Sequence, residues 1–116
     1  KEMARTLLDD AGYTDVEESV RIAPGVTVGF RATSPDGNVR LFELGGTHTP
    51  ARPGLSRIDA LWRVVAKAAV AQQVAPDVDF VVLTAGTVRG GPLATVVGAG
   101  RPIAAVVDMT RVDADI

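Results

Sequence analysis

Apolar positions recur at helical spacing at the start of the chain. Met3, Leu7 and Leu8 mark residues 2–11 as a short helix, and Gly12 follows as its stop. Residues 13–22 read as a weak strand, with Val16, Val20 and Ile22 set among charges, and Pro24-Gly25 is a turn. The stretch 26–32, Val-Thr-Val-Gly-Phe-Arg-Ala, is β-branched and partly alternating, which predicts a strand. Ser34-Pro35-Asp36-Gly37-Asn38 is the clearest turn, because proline presets φ and Asp-Gly supplies the reversal. Residues 39–44 alternate again and complete a β-hairpin.

Beyond it, residues 45–55 form a Gly/Thr/Pro loop. Ser56 suits an N-cap, with Asp59 placed where negative charge favours a first helical turn. The longest helix is expected from Arg57 to about Gln73, burying Ile58, Leu61, Trp62, Val65 and Ala69, and Pro76 ends it. The apolar run 79–84, Asp-Phe-Val-Val-Leu-Thr, suits a strand covered on both faces. A glycine-rich loop from Gly86 to Pro92, a helical turn near 93–97 and a last strand over 103–107 complete the order α-β-β-β-α-β-β. The expected fold class is α/β, a mixed β-sheet flanked by helices.

Composition narrows this picture. The chain has 116 residues, suited to a single domain over 1–116, and its core must rely on aliphatic residues because aromatics are only 4%. It begins at Lys1 rather than Met, so a fragment of a longer protein is expected. With no cysteine, disulfides and thiolate metal sites are excluded, and a reducing, cytoplasmic setting is compatible. No apolar run approaches the roughly 18 residues of a membrane span, so no membrane partner is expected. A net charge of −2 argues against a general nucleic-acid coat but leaves room for a local basic groove.

The chemistry concentrates around residues 42–49, Phe-Glu-Leu-Gly-Gly-Thr-His-Thr. Glu43 ends a strand, His48, Arg52 and Arg57 follow it in sequence, and Asp59, Arg63 and Lys67 share one helix face at i, i+4, i+8. A carboxylate beside a basic helix face suits a hard divalent metal and a phosphate, although such charge stripes are more often solvated faces. His48, the only histidine, has no nucleophile motif beside it and reads as a loop residue bonded to backbone. The segments 84–91 and 98–102 lack the Walker and dinucleotide patterns and read as connections.

The element order, with the segments Val-Gly-Phe-Arg-Ala, Asp-Gly and Phe-Glu-Leu-Gly-Gly, resembles the PD-(D/E)xK restriction-endonuclease-like superfamily over residues 2–108. The resemblance implies a nuclease core with Glu2 as the first-helix acid and Glu43 as the strand acid. Glu43 and Glu2 would then be the metal-binding residues, for Mg²⁺ or Mn²⁺. The family's metal-binding Asp is replaced by Gly29, and its lysine, two residues after the acid, is replaced by Gly45. Asp36 lies too far round the turn to substitute. Lys67 stands as a migrated lysine, making Glu43 and Lys67 the catalytic candidates.

The expected function is thus a nuclease-fold domain of a DNA-processing or defence-related protein, catalytically impaired and acting in nucleic-acid binding or assembly. Arg52, Arg57, Arg63 and Lys67 would meet DNA phosphates. One rival is an active endonuclease using Glu43 and Lys67. Another is a protein–protein or oligomerisation domain, with the apolar strand 103–107 at a sheet edge, pairing with a second copy or with other domains of a longer protein.

Overall fold

The computed structural model describes residues 2–45, 55–84 and 96–110, with side chains from Trp62 onward in the second stretch. The elements are α1 (Glu2–Asp10), β1 (Thr14–Ala23), β2 (Val26–Thr33), β3 (Val39–Gly45), α2 (Leu55–Val74), β4 (Asp79–Thr84) and β5 (Ala105–Asp108). All five strands join one sheet in the order β1-β2-β3-β4-β5. The first three are antiparallel, and β3, β4 and β5 are parallel. The α/β class, mixed sheet and flanking helices are therefore those expected.

Local chemistry explains the boundaries. Gly12 has φ +86°, and the amides of Gly12 and Tyr13 donate to the carbonyls of Asp9 and Leu8, closing α1 as a Schellman motif. Tyr13 and Leu8 then share a core cluster, fixing how the chain leaves the helix. At the β2–β3 turn Gly37 takes φ +89°, while Ser34 N donates to Asn38 O at 2.8 Å. The turn at 34–38 is the reversal its residues predict.

Two cores lie on the two faces of the sheet. One joins Ala4 and Leu8 of α1 to Tyr13, Phe30, Phe42, Val81 and Leu83. The other joins Val64, Ala68 and Ala71 of α2 to Val28, Leu41, Phe80, Val82 and Ile103. Central strand β3 therefore buries Leu41, Phe42 and Glu43 in succession instead of alternating buried and exposed. Val28 and Phe30 fall in different cores although both belong to β2. Between them lies Gly29, opposite Ser19, which takes a positive φ of 54°.

Some expectations move. Helix α2 begins at Leu55, so Ser56 lies inside it and not at its cap. Its buried stripe is Val64, Ala68 and Ala71, with Val65 partly buried, whereas Trp62 is 56% exposed and Ala69 is exposed. The reason is the helix composition: from Val64 to Ala71 only Lys67 is polar, so apolar spacing alone leaves the rotation undetermined. Alanines let the helix lie close to the sheet, and the bulky indole is turned outward. Strand β5 starts two residues later than the apolar run, because Ile103 bridges Val97. The predicted glycine loop over 86–92 and most of the helical turn near 93–97 lie outside the described residues.

Candidate functional site

Glu43 sits near the carboxyl end of β3, where the sheet changes from antiparallel pairing with β2 to parallel pairing with β4. Open α/β sheets bind ligands beyond the carboxyl ends of their strands, so this is the place where their chemistry gathers. The residue is only 7% exposed. A buried carboxylate requires donors, and both oxygens have one. The amide of Leu44 donates to Oε1 at 3.2 Å, and Lys67 Nζ donates to Oε2.

Lys67 reaches this oxygen because α2 is the crossover between β3 and β4 and lies on the face into which Glu43 points. It emerges beside Ala68, within the buried stripe, with its side chain 25% exposed. Long lysine stems lie along apolar surface in this way and place the ammonium at the margin of a core. Beside the pair, Gly45 leaves room for the side chain of Val82 on the neighbouring strand. A Cβ there would stand 2.6 Å from Val82 Cγ1 and 3.9 Å from Val64 Cγ2. A lysine on β3 two residues after the acid would meet that wall at its first side-chain atom.

Gly29 faces Glu43 from β2. Continuing the Phe30–Phe42 register by one step sets the two opposite, and a Cβ at position 29 would lie 3.2 Å from Glu43 Oε1. Position 29 therefore supplies no carboxylate to Glu43. Farther along the same strand ends, Gly45, Thr84 and Asp108 align in register. Thr84 is buried and its hydroxyl donates to Val107 O at 3.3 Å, while Asp108 accepts from the amide of Thr110 at 2.9 Å.

The other predicted residues scatter. Glu2 is exposed on α1, which covers the face opposite α2. Arg63 is exposed on α2, one turn before Lys67. Arg57 belongs to α2, but its side chain lies outside the described ones, as does that of Asp59; His48 and Arg52 lie outside the described residues altogether. Asp36 lies at the other end of β3, in the turn, where the Ser34 hydroxyl and then the Asn38 amide hold its carboxyl below the usual carboxylate range.

A hard divalent cation takes about six oxygen ligands, several from carboxylates or waters. Among the described residues, no three His, Cys, Asp or Glu side chains converge as a metal site would require. With Gly29 empty of a carboxylate and an ammonium already on Oε2, the described residues around Glu43 do not fit Mg²⁺ or Mn²⁺. No family model matches the chain, and no curated protein or solved structure matches it significantly.

Sequence reasoning missed two features. Arg40 is half-buried on β3 and donates from Nη1 to the Tyr13 hydroxyl at 2.5 Å, tying the entry of β1 to the central strand. Nothing in the spacing marks this pair. A cleft of about 530 Å³ opens at the amino ends of β4 and β5, away from Glu43, lined by Gln72, Asp79, Phe80 and the 98–102 loop. The positive φ values of Gly98 and Gly100 shape that loop. Among the described residues no helix is long and apolar enough to cross a membrane.

Proposed function

We propose that the chain is a restriction-endonuclease-like domain that has lost metal-dependent cleavage and serves in nucleic-acid binding or assembly within a DNA-processing or defence-related protein. One observation carries the reading: Glu43, at the strand end where the superfamily keeps its acid, is buried under Lys67 and faces Gly29 where a second acid would be needed. The lysine of such a site stabilises developing charge, and the paired acids hold the metal. Here the cation is retained from a helix, and the acid pair is reduced to one member.

Binding would use the α2 side of this strand end, with exposed Arg63 meeting phosphate and Lys67 supplying charge at the margin, joined by Arg52 and Arg57. The test is fluorescence anisotropy of a labelled DNA duplex over a range of salt. Weak binding that falls with salt is expected, and joint replacement of Arg63 and Lys67 by alanine must lower it. Affinity unchanged in that double variant would sink the binding role.

The closeness of Glu43 and Lys67 favours one alternative, an active endonuclease built on that pair. It requires Mn²⁺- or Mg²⁺-dependent cleavage that disappears in Glu43→Ala. A separate alternative is an oligomerisation domain through β5, which ends the strand order. Light scattering that shows a dimer without DNA affinity would favour it.

A further inference from the structure

We infer that Lys67 is the resident cation of Glu43, seated where a divalent metal would otherwise lie, so that this carboxylate is complete without metal. Three observations converge on it. Each oxygen of Glu43 already has a donor, one from the strand's own amide and one from the ammonium. The strand opposite brings a bare glycine toward Oε1, so among the described residues Lys67 meets one carboxylate there and not two. Helix α2 delivers the ammonium from beside Ala68 of its buried stripe, on a side chain only 25% exposed.

The charge balance follows from these positions. One carboxylate against one ammonium is neutral, and placing a dication there would expel Lys67 and leave a surplus positive charge in a half-buried place. The comparison with a metal site rests on the nuclease-like reading, whereas the pairing itself rests on geometry alone.

Mn²⁺ alone is the probe, added without nucleic acid to the whole chain, with free Mn²⁺ followed by electron paramagnetic resonance and melting followed in parallel. Wild type and Glu43→Gln are expected to leave Mn²⁺ equally free, with melting temperatures insensitive to it. Lys67→Met, confirmed as folded by circular dichroism, strips the carboxylate of its cation. It is expected to take up Mn²⁺ in the millimolar range and to melt higher as Mn²⁺ rises, since a ligand of the native state stabilises it.

Wild-type uptake that Glu43→Gln abolishes would overturn the inference, and this comparison needs no Lys67 variant to fold. A folded Lys67→Met that takes up no more Mn²⁺ than wild type would overturn it too. The DNA titration is read separately in metal-free buffer. Loss of DNA affinity with the expected Mn²⁺ pattern would remove the nuclease-like reading and leave the pair standing.

Discussion

Lys67 Nζ donates to Glu43 Oε2 from a helix that enters the fold ten residues after the strand it serves. The bond places a cation on a buried carboxylate at the one sheet position where strand direction changes. It also ties the stability of the fold to the chemistry proposed for it, because removing the lysine strands a buried carboxylate.

Breaking this pair should cost unequally on its two sides. Lys67→Met leaves a buried carboxylate unpaired, which costs about 3 kcal/mol, the lower end for buried pairs because the lysine is partly exposed. Glu43→Gln should cost less, since the long lysine stem can carry its ammonium to water. Urea unfolding of both single variants and the double variant measures the coupling. Additive losses would mean that the two charges do not interact.

Gly45→Ala tests the space between β3 and β4. The added methyl would press on Val82 Cγ1, and overpacking of this kind costs about 1–3 kcal/mol. Val82→Ala in the same chain should recover part of the loss, although it leaves a cavity of its own. Equal melting of Gly45→Ala and wild type would show that the space is not needed.

Much of the architecture is legible in the residues, because its signals are local. Gly12, Gly25 and Gly37 all adopt positive φ at the turns their neighbours predict, and the run 79–84 is buried on both faces as its unbroken apolar character requires. The rotation of α2 is not local. An alanine-rich helix carries little directional information, and the largest apolar side chain attracts the assignment although packing favours the smallest. That Lys67 could reach back to Glu43 was legible in the sequence, and the two side chains do meet. The need for glycine at position 45 was not legible, because its closeness to Val82 appears only when β3 and β4 are paired.

Trp62 provides a check on that rotation. It is the only tryptophan in the chain and is 56% exposed. Trp62→Ala should change stability by no more than about 0.5 kcal/mol. The indole emission should already be that of a wet side chain before unfolding, with little red shift in urea. A blue-shifted native spectrum would contradict the helix orientation.

Asp36 sets an expectation at acid pH. Its folded carboxyl lies below the usual carboxylate range, first because the Ser34 hydroxyl donates to it and next because the Asn38 amide does. A depressed carboxylate contributes stability above its unfolded value, and the contribution disappears as pH falls through the folded one. The carboxyl ¹³C shift of Asp36 should therefore titrate below that of an unstructured aspartate, and Ser34→Ala should move it upward. A midpoint indifferent to Ser34 would remove the hydroxyl as the main cause.

The central claim, a nuclease-like strand end without a working metal centre, is tested most directly by incubating the whole chain and Glu43→Ala with labelled DNA in Mn²⁺. The account predicts that neither cuts it, while the wild type retains salt-sensitive binding. Mn²⁺-dependent cleavage by wild type that vanishes in Glu43→Ala would contradict it.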